Sequence, residues 1–222
     1  MTIRELAQEV YVSTTTILRL ANKLGFEGWT ELKDFLESDE IYDSSMIADY
    51  SQNIIQMKLF LQKISEKDFR LILEQAIMMI AGAPEVLFLG VGNSNALAQY
   101  GARYFVNFGI DAYHISDIFQ PILPQHLKQA VSILLSVSGE TKTMIDQAMD
   151  IKRAGGLIIS ITNTEVSTLA NMADLNISYH MLNEYTKSVN RQNFSLTTQF
   201  PVIVLLEILA HSVNKRRAEQ TK

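Results

Sequence analysis

The chain has 222 residues, 47% of them hydrophobic and 19% charged, with a net charge of −5 at neutral pH. That is an ordinary soluble composition, with room for one good-sized domain or a domain plus a small module, and its acidic balance means that any nucleic-acid surface has to be local. There is no cysteine, which excludes disulfides, thiolate nucleophiles and cysteine-ligated metal sites and accords with a reducing, cytoplasmic setting. The start, MTIRELAQEV, lacks the basic and apolar regions of a signal peptide. The longest apolar run, FPVIVLLEILA, is too short to span a bilayer and carries Glu207, so no membrane association is expected.

In the first section, up to about Glu37, Ile3, Leu6, Ala7 and Val10 mark a short helix and Val12-Ser13 a tight turn. Ser13 is placed to cap a second helix, Thr14 to Leu24, whose buried face is Ile17, Leu20, Ala21 and Leu24. Thr14, Thr15, Arg19, Asn22 and Lys23 are left outward. This is the pattern of a helix-turn-helix, whose second helix enters the major groove, and short hydroxyl side chains with one Arg suit base edges and phosphates. An ordinary helical hairpin has the same pattern. The local charge favours the hairpin: Arg4, Arg19, Lys23 and Lys33 are outnumbered by Glu5, Glu9, Glu27, Glu31, Asp34 and Glu37. SDEIYDSS, Ser38 to Ser45, reads as a polar, acidic linker. From Ser45 to Ile64, apolar residues spaced by three or four predict one amphipathic helix. A further helix is predicted to open at SEKD, where Ser65 and Asp68 have capping-box spacing, and to stop at Pro84.

From Glu85 the pattern alternates. EVLFLG, DAYHI, AVSILLS, GLIISIT and DLNISYH are strand candidates, separated by helix-like segments such as NALAQYGARYFVNFG and TMIDQAMDIKRAGG. The fold class is therefore α/β, a five-stranded parallel sheet covered on both faces, preceded by the small all-α module and closed by a long helix from about Ser195 to Arg217.

Ligands of such sheets sit beyond the carboxyl ends of the strands, near the switch in strand order. The first strand ends in GVGNS, where two glycines permit close backbone approach and Ser94 offers a hydroxyl. The third ends in SVSGETKT and the fourth in SITNTEVSTLA, both hydroxyl-rich turns before helices. Two such turns converging on one crevice suit a phosphate held by backbone N–H groups and hydroxyls. Helix capping alone explains the same residues. No nucleoside-triphosphate P-loop is present, and GVGNSN has Asn95 in place of the third glycine of a dinucleotide fingerprint. Asp111, at about the right distance of 20 residues, falls at the start of its strand rather than its end.

The segments EVLFLGVGNSNALAQYGARYFVNFGIDAYHISD, SILLSVSGETKTMIDQAMDIKRAGGLIISITN and STLANMADLNI resemble the sugar isomerase (SIS) domain, in its order and spacing, over roughly Glu85 to Arg217. The resemblance implies a five-stranded parallel sandwich with flavodoxin-like or Rossmann-like layers that binds a phosphosugar. It implies that Ser94, Ser136, Ser138 and Thr141 hold the phosphate, with Gly92, Asn93 and Gly139 in the same turns. Glu184, in MLNEYTKSVNRQ, falls where SIS proteins place a carboxylate on the sugar. LANKLGFEGWTELKDFL closely resembles the end of the N-terminal domain of RpiR-type transcription regulators, in which a helix-turn-helix precedes an SIS domain. That resemblance makes residues 1–37 a DNA-binding module, 38–64 a linker and connecting helix, and 65–217 the SIS domain. It implies operator contacts from Ser13, Thr14, Thr15, Thr16, Arg19 and Lys23. Family members carry further helices before the segment matching Ile3, so the module is expected to be incomplete at its start.

SIS domains also occur in isomerases, which need a Glu or His base near the substrate carbon. Glu140, Glu184, His114, His126, His180 and His211 are candidates, and no acid–base pair stands out among them. The expected function is a cytoplasmic, non-enzymatic regulator, a repressor, with a phosphosugar effector and a DNA operator. It is expected to form a homodimer or homotetramer, with no cofactor and no metal. The alternatives are a phosphosugar isomerase, a SIS sensor without DNA binding, and an interaction module using the helices from Ser45 to Ala81.

Overall fold

The computed structural model describes residues 2–23, 26–37, 51–117, 122, 124–183, 185–187 and 193–220. The chain divides into two compact units, Met1–Lys63 and Ile64–Lys222. The linker SDEIYDSS lies outside the described residues, as does Leu24.

The first unit contains α1 (Ile3–Glu9), α2 (Thr14–Lys23), α3 (Trp29–Glu37) and most of α4 (Ser51–Ile64). Thr2 and Glu5 form a reciprocal capping box at the start of α1. Ser13 caps α2, its hydroxyl accepting the Thr16 N–H at 3.1 Å. Between the helices, Val12 N–H bonds the Ala7 carbonyl at 3.0 Å and Tyr11 N–H bonds that of Gln8 at 3.4 Å, the two bonds of a Schellman ending. The residue at the left-handed position of that ending is Tyr11, at φ 53°, where glycine is the usual occupant. Tyr11→Gly should therefore stabilise the first unit by about 1 kcal/mol, measured by urea unfolding followed through a probe in that unit; an unchanged midpoint would mean the backbone there is not strained.

Ala21, Phe26 and Leu32 form the small core, with Trp29 and Leu59 packed against it. Ile17 and Ala21 are buried as expected, but Leu20 is 51% exposed. Successive residues stand 100° apart on a helix, and with Ala21 at the contact, Leu20 turns to the flank. Val10 is also exposed, because α1 ends at Glu9 and Val10 no longer follows its register.

In the second unit, β1 (Glu85–Gly90), β2 (Ala112–His114), β3 (Ala130–Ser136), β4 (Leu157–Thr162) and β5 (Leu175–Ser178) form one all-parallel sheet in the order β2-β1-β3-β4-β5. The central β3 is buried along its whole length, which is why it reads as an unbroken apolar run. Leu87, Leu89, Leu134 and Ile158 on one face pack with Met144, Ala148 and Ile151 of α8 (Lys142–Arg153), Leu127 of α7 (Pro124–Gln129) and Leu169 of α9 (Thr168–Met172). The other face meets α6 (Asn93–Val106), with Phe88 and Phe105 edge to face at 5.0 Å. α6 and α5 (Lys67–Gly82) in turn pack against α10 (Phe200–Gln220). Arg217 of α10 donates to the carbonyls of Ile80 and Ala83 at the end of α5.

Two boundaries differ from expectation. α5 begins at Lys67 with Glu66 at its cap and no side-chain cap bond, so Ser65 stands one position too early and the Ser65–Asp68 box does not form. The start of the helix expected from Ser45 is not among these: residues 45–50 lie outside the described residues, and from Ser51 to Ile64 the chain is helical. The final helix starts at Phe200, because Ser195 belongs to β7 (Asn193–Ser195), which pairs antiparallel with β6 (Tyr185–Lys187). Among the described residues no helix is long and apolar enough to cross a membrane.

Candidate functional site

β1 and β3 are neighbours, but β1 connects onward to β2 on one side and β3 to β4 on the other. Their carboxyl ends therefore diverge, and the crevice between them is the switch point of the sheet. A cavity of about 430 Å³ lies there, lined by Gly92, Asn93 and Ser94 after β1 and by Ser136, Ser138 and Thr141 after β3.

The turn after β1 depends on its glycines. A Cβ on Gly90 would stand 2.4 Å from the Ser94 carbonyl oxygen, and Gly92, at φ +61°, begins α6 with no side-chain cap. Ser94 is buried and donates its hydroxyl to Gln199 Oε1 at 3.0 Å.

The turn after β3 is a nested set of hydrogen bonds. Ser136 Oγ accepts the Gly139 N–H at 3.2 Å and lies 3.4 Å from Thr141 Oγ1, and Ser138 Oγ accepts the Glu140 N–H at 3.1 Å. Gly139 takes φ +67°. It does not line the cavity, but it aims the hydroxyls that do. Thr141 occupies the cap position of α8 without making a side-chain cap bond. Capping is therefore not what this threonine does, and among the described residues the first-turn N–H groups of α8 have no side-chain acceptor.

The hydroxyl-rich turn after β4 does not converge on the crevice. It stands one strand beyond the switch point, beside the β3 turn, and braces it. Asn163 N–H bonds the Val137 carbonyl at 2.9 Å and Leu169 N–H that of Gly139 at 3.0 Å. The Glu140 carboxylate accepts both the N–H and the hydroxyl of Thr168 at 2.8 Å. Those two bonds hold the Glu140 carboxyl below the usual carboxylate range, so it is ionised and already occupied.

The remaining candidate bases are committed elsewhere. His114, at the end of β2, bonds Asn95 Oδ1 at 2.7 Å, and partial burial lowers its pKa. His180 meets Ser178 and Glu165 through the same nitrogen, Nε2, at 3.0 Å each, whereas a nucleophile–base–acid relay uses both ring nitrogens. His126 sits 3.5 Å from Glu85, at the opposite end of β1, and His211 bonds the Tyr104 hydroxyl at 3.1 Å. Glu184 lies outside the described residues. Asp111 precedes β2, the wrong end of the strand for a ribose-binding acid.

Ser195, Leu196 and Gln199 form a third wall of the cavity that the sequence reading missed. The run SLTTQ before α10 carries the same hydroxyl-rich signal as SVSGETKT, but a helix drawn from Ser195 hid it. In the first unit, Thr15, Arg19 and Lys23 are exposed and Thr14 is half-buried, while the hydroxyls of Ser13 and Thr16 pair with each other at 2.8 Å in the α2 cap.

Two family models match the chain, the SIS domain over residues 79–206 and the helix-turn-helix domain of the rpiR family over residues 1–41. The HTH-type transcriptional regulator GlvR of Bacillus subtilis is 26% identical over 191 residues, covering 79% of this chain and 68% of that protein. The bifunctional protein glk of Paraburkholderia xenovorans is 26% identical over 97% of this chain, which spans only 35% of its length. The Vibrio vulnificus NanR protein complexed with ManNAc-6P shares the fold at a TM-score of 0.55 and 19% identity, over 100% of this chain and 84% of that one. With the SIS match spanning more than half of its residues behind an rpiR-family helix-turn-helix, the chain belongs to the SIS-domain family in its RpiR-type arrangement.

Proposed function

We propose that this chain is a transcription regulator, a repressor, that binds operator DNA through residues 1–37 and senses a phosphosugar through residues 65–217, with 38–64 connecting the two. The observation that carries the sensor half is the cavity at the switch point, where Ser94, Ser136, Ser138 and Thr141 gather at the starts of two helices. Hydroxyls beside helix N-termini supply the donors that a phosphate dianion needs, with no cation among the described lining residues. The sugar extends toward Ser195 and Gln199, and Glu184 contacts its hydroxyls. ManNAc-6P bound to NanR, a protein of the same fold, supports a phosphorylated sugar as the class of ligand. The DNA half is supported by the rpiR-family match and by exposed Thr15, Arg19 and Lys23 on α2.

The chain acts as a sensor and not as an enzyme. Glu140 is tied to Thr168 and His114 to Asn95, which leaves neither poised over the cavity. It works as a homodimer or homotetramer in the cytoplasm, matching a palindromic operator. The effector acts by binding two states of the protein unequally, since only a difference in affinity shifts DNA binding.

A thermal-shift screen of sugar phosphates tests the sensor. A ligand at 100 times its Kd should add about 2.7 kcal/mol of stability, and the shift should vanish in a Ser138→Ala, Thr141→Ala variant. No shift with any sugar phosphate would sink the sensor, and turnover of one would make the chain an isomerase.

A further inference from the structure

The first unit has a surface depression of about 520 Å³ that its own fold does not use. Arg4 and Gln8 of α1, Tyr11 of the turn and Thr14 of α2 line it. Each brings a hydrogen-bond donor: a guanidinium, an amide, a phenol and a hydroxyl. None of these side chains has a hydrogen bond or ion pair to another described residue. Tyr11 is 95% exposed on a left-handed backbone that glycine would adopt freely, so the fold retains an aromatic phenol there against its own backbone preference.

We propose that this depression seats the sugar–phosphate backbone of duplex DNA. Arg4 pairs with one phosphate, and Gln8, Tyr11 and Thr14 donate to oxygens beside it. The proposal rests on the DNA-binding reading above and adds to it a positioning site on α1 and the turn, built from Arg4, Gln8 and Tyr11, that meets the α2 face at Thr14.

Three observations favour DNA as the occupant. The lining offers donors and a fixed cation but no carboxylate, which suits an anion. Its residue types are those that make phosphate contacts in protein–DNA complexes, where half to two-thirds of the hydrogen bonds go to phosphate and sugar. The depression also runs from the first helix to the start of the second, the span that crosses the backbone when a helix-turn-helix docks. The nearby Glu5 is turned back onto Thr2 in the capping box, and those bonds hold its carboxyl below the usual range. Its charge is directed at its own helix N-terminus.

The test is binding of the full chain to a fluorescent duplex of mixed sequence across a KCl series, for the wild type, Arg4→Gln, Tyr11→Phe and Arg70→Gln. Arg70 is an exposed cation of the second unit and controls for bulk charge. Each phosphate contact contributes about 0.9 to the slope of log affinity against log salt, so Arg4→Gln should lower the slope by about one and weaken binding about fivefold at physiological salt. Tyr11→Phe should weaken binding about two- to tenfold with the slope unchanged. Arg70→Gln should match the wild type. All three changes are on exposed side chains, and circular dichroism confirms that each variant is folded. If the wild type binds no duplex at any salt, the DNA-binding reading falls and this seat with it. If the wild type binds but Arg4→Gln and Tyr11→Phe bind identically, or Arg70→Gln loses as much as Arg4→Gln, the seat is wrong and the DNA-binding reading stands.

Discussion

Gly139→Ala should destabilise the second unit by about 2–5 kcal/mol and abolish stabilisation by any sugar phosphate. Two costs add. The backbone stands at φ +67°, where a Cβ is disfavoured by about 1–2 kcal/mol. The new Cβ would also lie 2.1 Å from Ser167 Oγ and 2.5 Å from Ser167 Cβ, an overlap of the kind that costs about 1–3 kcal/mol in a packed interior. Ser167 has little room to withdraw, since it is buried and its hydroxyl caps α9 by accepting the Ala170 N–H at 3.1 Å. The sheet tolerates a local shift, so the turn moves first, and with it the hydroxyls of Ser136 and Ser138 that bond to Gly139 and Glu140. A double variant with Ser167→Gly separates the two costs: the overlap goes, the φ penalty stays, and part of the lost stability returns. Urea unfolding of the single and double variants measures this. If Gly139→Ala alone matches the wild type, the β4 turn does not brace the β3 turn.

What was legible in the sequence follows from how local each determinant is. AVSILLS reads as a strand because a parallel sheet buries both faces, and it is β3 to the residue. The hydroxyls of GVGNS and SVSGETKT were legible because strand-to-helix turns in this architecture end at the switch point. The destination of SITNTEVSTLA was not, because a turn's neighbours depend on strand order, and only the order β1-β3-β4 puts this one beside the cavity instead of in it. Ser195 and Gln199 belong to the same class. Gln199 reaches Ser94 across 105 residues, and no local spacing encodes that contact. Leu20 failed for a smaller reason: a stripe two residues wide, Ile17 and Ala21, suffices for the three-helix core, and periodicity marks a broader face than is used. Tyr11 was hidden in a different way, since a left-handed C-terminal residue announces itself as glycine and here does not.

Gly90→Ala should be the more damaging change on the β1 side of the cavity, at about 3 kcal/mol or more. The Cβ would stand 2.4 Å from the Ser94 carbonyl oxygen, 2.6 Å from its carbon and 2.9 Å from the Asn95 nitrogen. All three are backbone atoms, so no rotamer change relieves the overlap and no single side-chain replacement rescues it. The first turn of α6 has to move away from β1, breaking the bond from Ser94 to Gln199 and opening the wall that faces Ser138. Gly92→Ala, two residues later, is the matched comparison. Its Cβ would meet nothing within 4 Å, and only its backbone, at φ +61° and ψ −127°, is unfavourable for a side chain, so it should cost about 1–3 kcal/mol, less than Gly90→Ala. Denaturation midpoints of the two variants give the ranking directly, and equal midpoints would show that β1 and α6 do not approach as closely as this geometry requires. Sugar-phosphate stabilisation should disappear in Gly90→Ala at temperatures where the protein is still folded, while operator binding without effector survives. That split, a lost sensor with a retained reader, is the signature expected of a regulator whose two functions sit in separate compact units.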